Sequence, residues 1–199
     1  MLISVRRKVA YLALPKTGTT AVEHALDGHV EMRFAGHPSI KHTNYRKYRR
    51  FILPFLEASA AKTDGIETCC VVRDPVSWLR SWYTYRQRPE IDGKRNSTRG
   101  VTFAQFIEGW LAEDPPQYAR VGLPSAFIAD EDGTPGVDRL FRYENLSPFV
   151  AYLEDRFRAK LAFERINVSP RLDADLPAAL LTRLETERAG EFELYGSIA

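Results

Sequence analysis

A short apolar run followed by a threonine-rich loop constrains this chain more than any other segment. Residues 9–14 read VAYLAL, which is the pattern of a buried strand. The loop PKTGTT follows at residues 15–20, and a helix is predicted to begin at about Thr19. Amides at the start of a helix, together with the helix dipole, bind anions. The segment therefore predicts a site for a phosphate or sulfate group.

Each residue type in this loop has a use at an anion site. Glycine lets the main chain approach the anion closely, lysine adds a positive charge, and threonine hydroxyls donate hydrogen bonds. The candidate residues are Pro15, Lys16, Thr17, Gly18, Thr19 and Thr20. The loop is not the G-x-x-x-x-G-K-[ST] sequence of ATPases, because its lysine precedes its glycine. A corner between strand and helix that binds nothing is the alternative.

A second anion site is predicted after the next buried strand. Residues 66–72 read IETCCVV, and Arg73 follows at the end where parallel sheets bind their ligands. Asp74 and a proline then start a helix that carries Ser81 and runs to about residue 88. We expect Arg73 and Ser81 to hold a second phosphate. Alternatively, Arg73 forms a salt bridge, or Asp74 binds Mg²⁺ as in a kinase, although a helix cap explains Asp74 better.

Strands alternate with helices along the rest of the chain. Further strands are predicted at residues 30–34 and 137–143, and further helices at 43–60 (kinked at Pro54), 102–113, 147–160 and 176–194. Residues 89–100 are predicted to form a mobile loop. The alternation predicts an α/β fold of three layers, with a central parallel sheet flanked by helices. A length of 199 residues without a linker predicts one domain, residues 1–199.

Charge is divided unevenly between the two halves. Residues 1–100 contain 18 Lys and Arg against 9 Asp and Glu, whereas residues 101–199 contain 10 against 17. The basic half suits a polyanionic or phosphorylated ligand, although a solvated basic face is the alternative. Since no nucleic-acid motif occurs, we expect no nucleic-acid partner.

Several sequence classes are excluded by pattern. The apolar runs are shorter than the roughly 18–20 residues that cross a bilayer, and the N-terminus lacks a signal-peptide pattern, so no membrane partner is expected. Cys69 and Cys70 are adjacent, which is unsuited to a mutual disulfide and indicates a reducing compartment. We therefore expect a cytoplasmic protein. No metal-ligand spacing occurs, so no metal is expected.

Four segments together resemble one enzyme family. PKTGTT at residues 15–20 resembles the 5′-phosphosulfate loop of sulfotransferases that use 3′-phosphoadenosine-5′-phosphosulfate (PAPS). VRDPVSWLRS at 72–81 resembles their 3′-phosphate motif, in which a serine follows an arginine eight residues later. FRYENL at 141–146 is similar to a strand-and-turn element of the family. NVSPR at 167–171 is similar to a late loop of the carbohydrate branch, the uronyl and glycosaminoglycan type.

The resemblance, which spans residues 9 to about 195, implies a compact, soluble, bacterial-like sulfotransferase with a P-loop-like fold and no metal. Lys16 would stabilise the leaving oxygen, residues 17–20 would hold the 5′-phosphate, and Arg73 with Ser81 would hold the 3′-phosphate. Arg171, which ends the late loop, is assigned to the nucleotide site. The acceptor would be a hydroxyl group, of a carbohydrate and possibly anionic, and the product adenosine 3′,5′-bisphosphate. A P-loop nucleotide kinase or NTPase, and a non-catalytic nucleotide-binding relative, are the alternatives.

The acceptor hydroxyl must lose a proton, so a general base is expected. His42 is the first candidate and His37 the second, because the family places a histidine or glutamate in this region; Glu31 is the carboxylate alternative. Lys41 is predicted to lower the pKa of a neighbouring histidine, or else to contact an anionic substrate. The basic residues at 46–50 favour either an acidic acceptor or a solvated helix face.

Overall fold

The protein is represented by a computed structural model that describes residues 1–59, 62–163 and 176–199. Their packing divides them into two compact units. The first unit comprises the described parts of residues 1–73 and 124–163 together with 198–199, and the second comprises residues 74–123 and 176–197. The single domain inferred from the sequence stays a prediction.

The first unit contains a five-stranded mixed sheet. Its strands are β1 Leu2–Ser4, β2 Val9–Leu12, β3 Met32–Arg33, β4 Glu67–Val72 and β5 Arg139–Arg142. They lie in the order β3-β1-β2-β4-β5. β2, β4 and β5 are parallel, with Leu12 opposite Cys70 and Val72 opposite Arg142. β1 runs antiparallel to both β2 and β3.

The expected parallel sheet is therefore confirmed at β2, β4 and β5 and wrong at the edge formed by β1 and β3. No strand was predicted at residues 2–4, because three residues are too few to show a periodicity. A tight turn follows them, in which Lys8 has a φ of 57° and its amide donates to the carbonyl of Val5 at 3.4 Å. This reversal pairs β1 with β2 as a hairpin.

The helices lie between and after these strands. They are α1 Thr19–Ala25, α2 Pro38–Lys41, α3 Tyr45–Lys47, α4 Leu53–Ala58, α5 Pro75–Tyr85, α6 Phe103–Leu111, α7 Pro124–Ile128, α8 Ser147–Phe157, α9 Ala178–Glu187 and α10 Ala189–Ser197. A π-helical turn, Tyr48–Ile52, joins α3 to α4, and a 3₁₀ turn, Pro89–Ile91, follows α5. Within the described ranges, no helix is long and apolar enough to cross a bilayer.

Three predicted segments differ in detail. The helix expected over residues 43–60 is interrupted by the π turn, and Pro54 lies in the first turn of α4, where a helix needs no amide donor. The helix expected over 176–194 is divided at Arg188 into α9 and α10. The expected loop at 89–100 contains two buried residues, Ile91 and Thr98, and the hydroxyl of Thr98 donates to a main-chain carbonyl at 2.8 Å.

The central strands of the first unit are buried on both faces. On one face Tyr11 and Val71 pack with Val22 of α1 and with Phe149 and Leu153 of α8. The strand residues that alternate with these are buried too: Ile3, Ala10, Leu12 and Cys70. Strands covered on both faces read as continuous apolar runs, and for this reason β2 and β4 were recognisable in the sequence.

The second unit is helical and rich in aromatic side chains. Trp78 of α5, Phe106 and Trp110 of α6, and Leu184 of α9 share one core cluster. A capping box starts α6. The Thr102 hydroxyl accepts from the main-chain amide of Gln105, and the Gln105 side chain accepts from the main-chain amide of Thr102. The aromatic residues of α5 thus serve first as core.

Candidate functional site

The loop between β2 and α1 has an unusual main-chain conformation. Lys16 has a φ of 70° and Gly18 a φ of 72°, so two left-handed residues flank Thr17. For a lysine this conformation is strained, and such strain is typical of functional loops. Thr17 is buried, and its hydroxyl donates to the carbonyl of Leu14 at 2.8 Å. This bond ties the loop to the end of β2.

Four successive amides of this loop are available to a ligand. Within the part of the chain that the structure describes, the main-chain N–H groups of Thr17, Gly18, Thr19 and Thr20 donate to no other residue. Thr17 and Thr19 are also shielded from solvent, with 1% and 7% of their surfaces exposed. Buried amides are rarely left unpaired. The run of free donors therefore suits an anion with several acceptor oxygens.

Tyr143 closes one side of this loop. A Cβ atom added to Gly18 would lie 3.4 Å from Cε2 of the Tyr143 ring, in van der Waals contact with it, and would strain the main chain because φ is positive here. The Tyr143 amide donates to the carbonyl of Val72 at 2.7 Å, which continues the pairing of β4 with β5. The sequence predicts no role for Tyr143 beyond the FRYENL motif, because it does not show how the ends of the three parallel strands align.

Arg73 extends from the end of β4 to the same loop. Its Nη1 donates to the main-chain oxygen of Lys16 at 3.2 Å, and its Cζ lies 4.5 Å from the centre of the Tyr143 ring. The arginine is thus stacked on an aromatic face while it supports the loop. The sequence analysis placed Arg73 at a second, separate phosphate. The structure brings its guanidinium to the first anion loop, and the separate role stays a prediction.

His42 is anchored beside the start of the loop. Its Nδ1 lies 2.7 Å from the main-chain oxygen of Ala13. Burial lowers the pKa of His42 below its ordinary value and the charge of Lys41 acts in the same direction, whereas the bond to the Ala13 carbonyl and the charge of Glu23 act to raise it. A neutral ring that donates from Nδ1 to a carbonyl carries its lone pair on Nε2. His42 therefore has the protonation state that a general base requires.

Lys41 makes a partly buried ion pair next to this histidine. Its Nζ lies 3.0 and 3.1 Å from the two carboxylate oxygens of Glu23, a residue of α1 that is 4% exposed. Lys41 was expected to lower the pKa of a neighbouring histidine, and its charge does act in that direction at His42. Burial is the larger cause, and Glu23 raises the pKa where Lys41 lowers it. Since the ammonium is held by Glu23, its first role is to join α1 to the segment that carries His42.

The other candidate bases lie in different surroundings. His37 is exposed, and its Nδ1 accepts from the amide of Ser39 at 3.3 Å, which caps α2. Glu31 is exposed and lies 3.6 Å from the Nε of Arg6. Both side chains are exposed, whereas His42 is partly buried and its ring is held by a main-chain carbonyl. The geometry therefore favours His42 as the base.

Three other residues were singled out in the sequence as candidates for ligand binding, and the structure describes two of them. Ser81 lies on α5 in the second unit and is 6% exposed. Arg171 lies outside the described residues. Asp74 caps α5, since its Oδ1 accepts from the amide of Ser77 at 2.8 Å. The helix-cap interpretation of Asp74 is therefore confirmed.

Comparison with known proteins adds no relative, because neither protein-family models nor curated proteins match this chain.

Proposed function

We propose that the protein is a sulfotransferase that moves a sulfuryl group from PAPS to a hydroxyl acceptor. The observation that carries the proposal is the loop at residues 15–20, where four unpaired amides are flanked by a strained lysine. Arg73 contacts this loop at Lys16, and His42 contacts Ala13, two residues before the loop begins. An anion cradle, a fixed cation and a neutral imidazole are the groups that sulfuryl transfer to a hydroxyl needs.

The free amides of Thr17, Gly18, Thr19 and Thr20 would bind the oxygens of the 5′-phosphosulfate. Lys16 would place its ammonium near the oxygen that bridges phosphorus and sulfur. Negative charge grows on that oxygen as its bond to sulfur breaks, so a cation there stabilises the transition state more than the ground state. This arrangement supports a P-loop-like site built on a loop that differs from the ATPase sequence.

His42 would accept the proton of the acceptor hydroxyl through Nε2. The acceptor oxygen forms its bond to sulfur as the bond from sulfur to the phosphate oxygen breaks, and the proton ends on the imidazole. The Ala13 carbonyl stabilises the imidazolium, because it accepts from Nδ1 in either state. Adenosine 3′,5′-bisphosphate leaves with the electron pair of the broken bond.

Selection of the nucleotide is assigned to Arg73 and Ser81. A 3′-phosphate distinguishes PAPS from ATP, and the planar guanidinium group can donate two hydrogen bonds to phosphate oxygens. Arg171 is included in this proposal from the family resemblance alone. A carbohydrate acceptor rests on the resemblance of residues 167–171 to the carbohydrate branch. A cytoplasmic location is supported by the two buried, unpaired thiols of Cys69 and Cys70.

The decisive experiment is calorimetric titration with adenosine 3′,5′-bisphosphate, beside ADP with and without Mg²⁺. We expect metal-independent binding of the bisphosphate that weakens by about tenfold or more in Arg73→Ala, as for loss of a charge-assisted contact. Arg33→Ala, which removes an exposed guanidinium paired with Asp27, is the matched control and should bind normally. A preference for ADP with Mg²⁺ would move the protein to the phosphoryl-transfer class.

A second variant separates an enzyme from a binding protein. Lys16→Asn removes the ammonium but tolerates the left-handed conformation better than alanine does. We expect a large loss of PAPS-dependent turnover and a smaller loss of bisphosphate affinity. Equal losses would show that Lys16 only anchors the nucleotide.

A further inference from the structure

Two phenylalanine rings lie exposed on the helical segment between residues 45 and 58. Phe51 is 59% exposed and Phe55 is 57% exposed, whereas Tyr48 and Leu56 of the same segment are 2% and 4% exposed. The segment thus buries one side and presents large apolar side chains on the other. Exposing two aromatic rings one turn apart is costly in water, and such surfaces mark places of interaction.

The π turn explains how both rings become exposed. An extra residue in one helical turn rotates every later side chain around the helix axis. Tyr48 begins this turn and stays buried, while Phe51 near its end and Phe55 beyond it point away from the buried side. Turns of this kind are frequent at functional sites.

Positive charges border the exposed rings. Arg46, Lys47 and Arg50 are exposed, and among the described residues none of the three forms an ion pair. The sequence contains no Asp or Glu between Glu31 and Glu57. We call Arg46, Lys47, Arg50, Phe51 and Phe55 the basic–aromatic face. Its charge is complementary to an anionic partner, and its rings require an apolar one.

We propose that the basic–aromatic face docks on an anionic lipid surface, with the helical segment lying in the plane of the membrane interface. Helices bind in this way when phenylalanines enter the acyl boundary and flanking cations contact acidic headgroups. Such docking does not depend on the proposed sulfotransferase activity, and it is the opposite of the expectation of no membrane partner, which stays a prediction.

A water-soluble polyanion fits this face less well. Such a polyanion would be attracted by the cations of the face. It would gain little from the two phenylalanine rings, because they carry no polar atom. At Phe51, one face of the ring is taken by the guanidinium group of Arg50, whose carbon lies 5.3 Å from the ring centre, and is not open to stacking by a base or sugar. A lipid interface uses both features, since the rings leave water while the cations stay at the headgroups.

The test is co-sedimentation of the full chain with vesicles. One set is phosphatidylcholine alone, and the other contains about 30% phosphatidylglycerol, in a range where headgroup charge controls binding. We expect binding to the anionic vesicles and a loss of about tenfold or more in Phe51→Ser/Phe55→Ser, because each ring contributes apolar burial. Arg46→Gln/Lys47→Gln/Arg50→Gln should lose a similar factor at low salt.

Two exposed apolar residues outside the face provide controls. Ile40→Ser and Leu123→Ser remove side chains that are 51% and 36% exposed, and both should leave vesicle binding unchanged. Circular dichroism of each variant checks that it is folded. No binding of the folded wild type to anionic vesicles would overturn the proposal.

Two other results would also overturn it. Binding to heparin beads that survives Phe51→Ser/Phe55→Ser, without binding to vesicles, would assign the face to a soluble polyanion. A dimer in sedimentation velocity that Phe51→Ser/Phe55→Ser dissociates, without vesicle binding, would assign it to a second copy of the chain.

Discussion

The Nδ1 atom of His42 lies 2.7 Å from the main-chain oxygen of Ala13, at the residue where β2 gives way to the anion loop. One contact thus sets the tautomer of the imidazole and places the ring at the loop that would hold the sulfuryl donor. This relationship selects His42 from the four histidines of the chain.

His42→Gln should reduce turnover with PAPS by about 10²–10⁴-fold, the usual contribution of a general base. Bisphosphate affinity, measured by calorimetry, should change little because the loop amides remain. His37→Gln is the control, since His37 is exposed and caps a short helix. A larger loss of turnover in His37→Gln than in His42→Gln would contradict the assignment.

Burial lowers the pKa of His42 in the folded chain below the ordinary value of 6.5. The neutral ring is therefore favoured by folding, so this histidine contributes stability above pH 6.5 that is lost as the pH falls below it. Histidine NMR titration should give a midpoint below 6.5 for His42. The acid limb of turnover should lie at the same pH. A midpoint above 6.5 would show that the Ala13 carbonyl and the Glu23 carboxylate, which both raise the pKa, together outweigh burial.

Glu23→Gln should destabilise the first unit by about 2–3 kcal/mol, because it leaves the Lys41 ammonium without its partner; Lys41 keeps 19% side-chain exposure, which moderates the cost. Urea unfolding measures the change. Adding Lys41→Met should restore part of the stability, since an apolar pair replaces a buried ion pair at little cost. Asp27→Asn, at an exposed pair with Arg33, should cost less than about 1 kcal/mol. Equal effects in Glu23→Gln and Asp27→Asn would show that burial adds nothing here.

Gly136→Ala should destabilise the protein by about 1–3 kcal/mol, as overpacking does. A Cβ atom at this position would overlap the ring of Tyr45, which is 7% exposed and cannot move into solvent easily. Gly190→Ala, in α10 with open space around it, should instead gain about 0.5–1 kcal/mol from helix propensity. Thermal unfolding of both variants measures the two changes in stability. An unchanged stability in Gly136→Ala would show that the Tyr45 ring moves aside without an energetic penalty.

Arg86→Lys should destabilise the second unit by about 2–3 kcal/mol, because a buried guanidinium donates to several carbonyls that an ammonium cannot reach together. Arg86 is 7% exposed, with Nη1 at 3.1 Å from the Gln117 oxygen and Nη2 at 2.8 Å from the Arg120 oxygen. Urea unfolding and limited proteolysis between residues 112 and 123 report the loss. Arg88→Lys, at an exposed arginine over the Tyr85 ring, is the control. Unchanged unfolding in Arg86→Lys would refute this role.

Much of the central architecture followed from the sequence because buried parallel strands are continuous apolar runs. β2 and β4, the anion loop after β2 and the Asp74 cap of α5 were all predicted. The β1 hairpin was missed, since three residues carry no period. The π turn was missed because a helical pattern does not show where one extra residue enters.

The sequence determined which residues could bind an anion, because a lysine, a glycine and threonines in a strand–loop–helix segment have that chemistry wherever they occur. Only the tertiary structure decided how they are arranged. It stacked Arg73 on Tyr143, gave Lys16 a left-handed conformation and brought His42 to the carbonyl of Ala13. These contacts join residues far apart in the chain, and their geometry depends on how the parallel strands align and on which groups burial removes from water. Local residue patterns do not encode either of these.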